Sequence, residues 1–506
     1  MEHKIFSLEK LKRVIAKEKT KGKKVVLCHG VFDLLHIGHI KHFKEAKNFG
    51  DILVVTLTPD VYVNKGPQRP AFTEKLRLEA VAALDVVDYV ALNSFPTAVT
   101  VIQKIRPNIY CKGLDYKDHK NDISGQIKEE INAVKKAGGK IVYTEGITFS
   151  SSKLINLNEV HSDSHKLSIK KIKKNYTFPK ISTLIENFKK IKVLIIGETI
   201  IDQYVFCEAL GKSGKEPMLV LRDIKTEEYI GGAAVIARHL SPFCDNISLL
   251  SMVGEKGEYL QDIKKKLPRN IHIKYIRKKN SPTILKRRFL DNVSNNKVLG
   301  VYTINDDILT SKEEKLFNKM LKNLIPKYDL VIVSDYGHGL ISNKSANLIC
   351  KLSKYLTLNA QVNAANVGYH SMRNYKNVDC VIINEKEIRH ELRDKNGKIN
   401  VLMKRLSQEQ NLKNLIVTRG YKGSIFFSKK NKKFNVSDAF AKSAVDKIGA
   451  GDAMLSIISL CLKTGLNKEL ALLIASLAGA QSVTTIGNKT TINKTQILKS
   501  LETILK

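Results

Sequence analysis

Two stretches of this chain carry residues whose types and spacing suit phosphorus chemistry. The first is Gly449-Ala450-Gly451-Asp452, which opens an apolar run with helical spacing over 453–462. Glycines at a helix start let a ligand approach the backbone, and the first amides of a helix have no intrahelical acceptor. With the helix dipole, the amides of Gly449, Ala450 and Gly451 form an anion cradle. Asp452 falls in the first turn, where a carboxylate beside a held phosphate can take the proton of an attacking hydroxyl. An ordinary helix N-terminus with a solvated acidic residue is the competing reading. The second stretch is His36-x-Gly38-His39, which follows an apolar run at 24–28 and opens a helical pattern at Ile40, Phe43 and Ala46. Histidines three apart share one side of the helix entrance, and Gly38 leaves room for a phosphate. Two imidazoles and backbone amides suit the negative charge that grows on an α-phosphate during nucleotidyl transfer. Ser151 and Ser152 open a further short helical segment, read either as an anion site or as a plain serine cap.

The elements that must position these groups are short buried strands. The apolar runs at 24–28, 51–55 and 192–197 read as strands of parallel sheets, and 24–55 reads as a β-α-β unit. Gly231-Gly232-Ala233-Ala234 reads as a second helix entrance where a ligand or a neighbouring backbone lies close. Residues 159–190 are polar and lysine-rich and read as a linker with a solvated charge run. The chain of 506 residues is long enough for two domains, and the expected boundaries are 1–158, 159–190 and 191–506.

Composition excludes several classes. The N-terminus lacks the apolar core of a signal peptide, and no apolar run is long enough for a bilayer. Seven scattered cysteines with no Cys-x-x-Cys spacing argue for reduced thiols in a cytoplasm, and against a disulfide frame or zinc site. The net charge of +36 fits a nucleic-acid binder, an enzyme drawing in phosphorylated substrates, or a general lysine bias. Tryptophan is absent and basic residues do not interleave with aromatics, which favours the last two.

Gly30-Val31-Phe32-Asp33 with His36-x-Gly38-His39 resembles the His-x-Gly-His nucleotidylyltransferases, the group with glycerol-phosphate cytidylyltransferases and heptose-phosphate adenylyltransferases. The likeness continues through 65–70, Arg77, 87–90 and 112–116 to the serine block at 150–155. It implies that His36 and His39 contact the triphosphate, that Lys112 lines the site, and that Ser151 and Ser152 bind phosphates. Gly30, Phe32, Asp33, Gly38 and Arg77 are the implied nucleotide-binding set. From about residue 192 onward the chain resembles the ribokinase-like carbohydrate kinases, on Gly231-Gly232-Ala233-Ala234, Ser334 to Gly339, Asn384-Glu385-Lys386-Glu387, Thr418 to Gly423 and Gly449 to Asp452. That likeness implies Asp452 as base, Asp202, Gly231 and Gly232 at the sugar, and Thr418 and Gly420 beside the nucleotide. It also implies Asn384 and Glu387 organising Mg²⁺ through water. Lys286, Arg287 and Arg288 read either as a clamp for a second substrate phosphate, with Arg287 and Arg288 as its guanidinium pair, or as a charged edge strand.

Taken together the halves resemble the bifunctional heptose-phosphate kinase/adenylyltransferases of lipopolysaccharide precursor synthesis, with the domain order swapped. Val235 stands where that family's block usually continues with Asn, and 359–366 replaces its acidic Asp-Pro-Lys segment. The expectation is an α/β chain of two Rossmann-like domains with mostly parallel sheets, the kinase half carrying a small β lid from 204–222 and 285–302. The expected chemistry is two steps: ATP phosphorylates a sugar phosphate, a heptose 7-phosphate, at its anomeric hydroxyl, and a nucleotidyl group then joins that new phosphate. ATP and CTP both remain open as nucleotidyl donors, as do other sugars. A nucleotide- or sugar-binding scaffold without catalysis is the rival of another class. The expected partners are a sugar phosphate and a nucleoside triphosphate, without nucleic acid or membrane insertion, in a cytoplasmic homo-oligomer read as a dimer.

Overall fold

The structure, a computed structural model, describes residues 2–63, 69–114, 126–144, 162–441 and 444–505. The chain divides into two compact units, residues 1–160 with 495–506, and residues 161–494.

The first unit holds a six-stranded sheet, with β1 (Ile5–Phe6), β2 (Val25–Gly30), β3 (Ile52–Leu57), β4 (Tyr89–Leu92), β5 (Ile109–Gly113) and β6 (Lys140–Thr144). Their order is β1-β4-β3-β2-β5-β6, and every pairing is parallel. Val25 to Cys28 and all of β3 are buried, as a strand covered on both faces by helices requires. From β2 the chain proceeds outward through β3 to β4, then returns to β5 on the other flank of β2. Strand order thus reverses beside β2, and ligands of open α/β sheets bind at the carboxyl ends of the strands at such a point. His36-x-Gly38-His39 follows the carboxyl end of β2, and Lys112 lies near that of β5.

The second unit is built on a nine-stranded sheet. Its strands are β7 (Lys192–Gly197), β10 (Asn246–Gly254), β11 (Ile271–Lys278), β14 (Leu330–Asp335), β15 (Leu356–Ala360), β16 (Cys380–Asn384), β17 (Asn414–Thr418), β18 (Ser424–Ser428) and β19 (Lys433–Ser437). The order is β11-β10-β7-β14-β15-β16-β17-β18-β19, parallel from β11 to β17 and antiparallel for the last two. A separate four-stranded sheet, β13-β12-β8-β9, joins β8 (Thr199–Lys212), β9 (Leu219–Gly232), β12 (Leu285–Asp291) and β13 (Lys297–Thr303). This is the expected small sheet: its outer strand β13 is exposed along its whole length, while β8 is buried up to Cys207.

The stretch expected to be a linker is different. From residue 162 it forms the helices Asp163–Asn175 and Phe178–Glu186, which belong to the second unit. Ser162 caps the first and is tied to Asp438, and His165 and Ile172 are buried on its inner side. The lysines hide this in the sequence, because they occupy the solvent side of an amphipathic helix. The helix Lys494–Leu505 was expected in the kinase half, but from Thr495 on it groups with the first unit.

Candidate active sites

In the first unit His36 is the N-cap of the helix Ile37–Lys47, its Nδ1 accepting from the Gly38 amide at 3.1 Å. The rings of His36 and His39 stack with centroids 4.0 Å apart, so the two imidazoles do converge on the helix entrance. Phe32, at φ 47°, packs edge-on against His39 (5.4 Å) and against Phe43 (4.9 Å). Gly30 is required beneath it, since a Cβ there would come within 2.9 Å of the Phe32 ring. Phe32 and Gly30 therefore set the position of His39 from behind.

Lys112 is buried at the end of β5, with Nζ 2.9 Å from Glu130 and 5.1 Å from the Tyr110 ring. Burial pulls the pKa of His29 down to about 3 and that of His42 to about 4; the Lys112 charge adds to both, and at His42 Glu45 opposes them. Both imidazoles are neutral at pH 7, so Lys112 is the cation of this floor.

Two residues expected at the nucleotide do other work. Arg77 is fully buried, its guanidinium donating to the carbonyls of Val31, Thr58 and Phe72 and to Asp60. Asp33 is buried too, accepting from the amides of Ala71 (2.7 Å) and Phe72 (3.1 Å). The loops after β2 and β3 leave carbonyls and amides that need partners away from water, and these two side chains supply them. Both side chains thereby brace the loops that border the site. Ser151, Ser152 and residues 65–68 lie outside the described residues.

In the second unit the helix Ala450–Lys463 begins at Gly449, which has φ 85°. A Cβ at Gly449 would meet Asn488 Oδ1 at 2.1 Å, whereas one at Gly451 would meet nothing within 4 Å. Gly451 therefore borders open space at the start of this helix, which leaves room for an anion to approach. Asp452 accepts a 2.9 Å hydrogen bond from the Tyr336 hydroxyl. Burial pushes its pKa up to about 7, the Tyr336 hydrogen bond opposes this, and Asp202 and Glu387 add repulsion. A carboxylate poised near neutrality is matched to general-base work.

The other expected groups gather along the carboxyl edge of the parallel sheet. Asn384 ends β16 and is the register partner of Thr418 at the end of β17, with Gly420 two residues on. Asn384 and Glu387 form a reciprocal helix cap: the Glu387 amide donates to Asn384 Oδ1 (2.9 Å) and the Asn384 amide to Glu387 Oε2 (2.8 Å). Glu387 is buried, and that burial pushes its pKa up to about 7. These oxygens fit a hard cation reached through water: a divalent charge would relieve the repulsion between Glu387 and Asp452, while the cap occupies the groups a direct bond would need.

Asp202 is buried on β8, and Gly231 is required against it, since a Cβ would reach Asp202 Oδ2 at 2.3 Å. Arg288 pairs with Asp202, but Arg287 donates to Gln203. Neighbours on a strand point to opposite faces, so the expected guanidinium pair does not converge. The convergent pair is Lys286 and Arg288. Lys286 is buried beside the rings of Tyr302 and Tyr336, opposite Asp202 in the ladder. Burial lowers its pKa, with Asp202 pulling the other way.

Three contributors carried no role in the sequence reading. Tyr336 is bound to Asp452. Buried Glu198 accepts from the amides of Tyr336 (3.0 Å) and His338 (3.1 Å), so it holds the turn that presents Tyr336. Asp446 accepts from Lys297 (2.6 Å) on β13, Tyr204 (3.0 Å) on β8 and the Gly487 amide (3.0 Å), tying the small sheet to the loop before Gly449. Asp446 stands six positions before Asp452, so proximity to the motif was its one signal.

Residues 190–495 match the family model described as pfkB family carbohydrate kinase, and residues 27–184 match the one described as cytidylyltransferase-like. Over 140 residues the chain is 43% identical to the bifunctional protein HldE of Citrifermentans bemidjiense. It is 38% identical over 140 residues to that of Geobacter sulfurreducens. Each match covers 27% of this chain and 27% of the relative, so the chain spans about a quarter of the curated relatives' length. Among solved structures, phosphofructokinase-2 from Escherichia coli in complex with potassium is similar in fold, with a TM-score of 0.50 and 13% identity over 62% of this chain and 99% of that one. Among the described residues no helix is long and apolar enough to cross a membrane.

Proposed function

The chain belongs to the pfkB family of carbohydrate kinases, and from that premise we propose that it is a two-step enzyme with a cytidylyltransferase-like domain ahead of the kinase. In the first step Asp452 removes the proton of a sugar's anomeric hydroxyl. The amides of Gly449, Ala450 and Gly451 take up the charge of the phosphoryl group arriving from ATP. Asp202 orients the sugar, while Lys286 and Arg288 hold a phosphate already on it; Thr418 and Gly420 border the nucleotide. Asn384 and Glu387 would hold Mg²⁺ through water, and the bound ion would supply charge neutralisation on the transferred phosphates.

In the second step the new sugar 1-phosphate attacks the α-phosphate of a nucleoside triphosphate and pyrophosphate leaves. His36, His39, Lys112 and the amides beside Gly38 stabilise the charge on that phosphorus. Ser151 and Ser152 are proposed phosphate ligands. The product is a nucleotide-activated sugar; where the sugar is D-glycero-D-manno-heptose 7-phosphate and the donor ATP, it is ADP-heptose once a separate phosphatase has hydrolysed the 7-phosphate of the bisphosphate made in the first step. A homodimer is proposed, with sugar phosphate and nucleoside triphosphate as its partners.

The observation that carries the reading is the Asp452 carboxyl, half-buried in the first turn of a glycine-opened helix, hydrogen-bonded by Tyr336 and poised near pH 7. The heptose and the adenylyl donor rest on the motif resemblance of residues 30–39, 65–70 and 112–116, and the similarity to the bifunctional HldE proteins supports a two-activity enzyme. Mass spectrometry of products from candidate sugar phosphates, each incubated with ATP, CTP or both, tests the reading. A nucleotide-sugar carrying AMP is expected. A CMP-linked product would replace the donor, and a sugar bisphosphate formed with no nucleotidyl product under any donor would remove the second step.

A further inference from the structure

We propose that the first unit holds a soft divalent metal ion, of the zinc type, between Cys28, His42 and Cys111. The ligand atoms of these three side chains lie within 4.8 Å of one another. The absence of Cys-x-x-Cys spacing is no obstacle, because sheet register brings the sulfurs together. Cys28 on β2 and Cys111 on β5 are direct partners across adjacent parallel strands, so both side chains leave the same face. The helix Ile37–Lys47 crosses that face and brings His42 to it. A tetrahedral centre with bonds of about 2.0–2.3 Å needs ligand atoms about 3.5–3.8 Å apart, so small side-chain rotations close the site.

Two further features favour an ion over a mere pair of core thiols. His42 Nδ1 lies 2.8 Å from Thr144 Oγ1, and that hydroxyl reaches the Lys112 carbonyl at 3.5 Å. An imidazole that bonds a metal through one nitrogen is held by such a partner on the other, and Nε2 is the nitrogen left to coordinate. The surroundings are apolar, with both cysteines in a cluster that includes Val26, Phe43 and Val55. Two thiolates and one neutral imidazole around a divalent cation make a centre of zero net charge, the form that such an interior tolerates. On binding, two S–H bonds break, two metal–sulfur bonds form, and two protons pass to solvent. Three protein ligands leave one position for water.

The ion would pin the helix that carries His36 and His39 to the two central strands. Cys111 precedes Lys112, and His42 is one turn beyond His39, so the pin fixes both the cation and the histidines. The proposal concerns a resident ion, and it stands whether or not the substrate reading above holds.

The test uses the full chain, stripped with chelator under reducing conditions and titrated with Co²⁺ and then Zn²⁺. One Co²⁺ per chain is expected, with thiolate-to-cobalt charge-transfer absorption and tetrahedral visible bands that one equivalent of Zn²⁺ abolishes. Cys111→Val, which preserves the strand and the apolar filling, should lose the charge-transfer band while keeping its far-ultraviolet dichroism. His42→Gln should weaken Zn²⁺ binding at least tenfold. Absent bands, or bands unchanged in Cys111→Val, would overturn the site. So would a native chain two mass units lighter than its reduced form, which is a Cys28–Cys111 disulfide.

Discussion

Replacing Tyr336 with Phe isolates what the buried tyrosine does to the base. Tyr336 donates to Asp452 at 2.9 Å, and this bond works against a burial that holds the carboxyl at about 7. A hydrogen bond to a charged group is worth about 1.5–3 kcal/mol, and at about 1.4 kcal/mol per unit its loss raises the Asp452 pKa by about one to two units. At pH 7 the ionised fraction then falls from about one half to between about one tenth and one hundredth, so kinase kcat/KM drops about 5- to 50-fold. At pH 10 the carboxylate is again almost fully ionised and the deficit shrinks to about twofold or less. The assay is the pH profile of ADP release from sugar phosphate and ATP, recorded for both proteins. A uniform loss across the whole profile would make Tyr336 a packing residue. A profile with no inflection near neutrality in the native enzyme would remove Asp452 as the group whose ionisation limits the rate.

Three further outcomes follow from the same geometry. The Asp452 carboxyl has a folded pKa of about 7, well above the ordinary aspartate value of 3.8, so the folded state keeps a proton that the unfolded chain releases. Stability therefore declines as pH rises through that window, and Asp452→Asn, which escapes the penalty, should be about 2–4 kcal/mol more stable than the native chain at pH 8 and equal to it near pH 4, by denaturant titration. Lys286→Met should raise KM for the sugar phosphate about 10- to 100-fold, while Arg287→Met, on the opposite face, leaves it within about twofold. Arg77→Ala should cost the first unit about 3–5 kcal/mol by stranding Asp60 and three carbonyls, with Arg77→Lys failing to restore it; hydrogen exchange localised to the loops after β2 and β3 reads this out.

The sequence exposed the two helix entrances because glycine and an acidic or imidazole side chain stand at the start of a run with apolar residues at helical spacing. Both sheets were legible for the same reason, since strands buried on two faces are uninterrupted apolar runs. What escaped was set by pairing between distant segments. The strand-alternation rule was available for Lys286, Arg287 and Arg288, yet which face holds the site depends on β12 lying beside β8. Tyr336 and Asp446 act through partners 116 and 149 positions away, Asp452 and Lys297 respectively. The family resemblance places Arg77 and Asp33 at the nucleotide; that they satisfy loop backbone emerges only from the buried hydrogen bonds. The helix Asp163–Asn175 was masked by lysines, with His165 and Ile172 as its two buried positions.

The most direct measurement assigns one reaction to each cradle. The full chain is assayed in parallel for ADP release from sugar phosphate and ATP, and for pyrophosphate release from sugar 1-phosphate and nucleoside triphosphate, as the native protein, as Asp452→Asn and as His36→Ala/His39→Ala. Asp452→Asn should lose phosphorylation about 10²-fold or more and retain pyrophosphate release, and the double histidine variant should do the reverse. Either variant abolishing both reactions, or leaving its own reaction intact, would contradict the assignment.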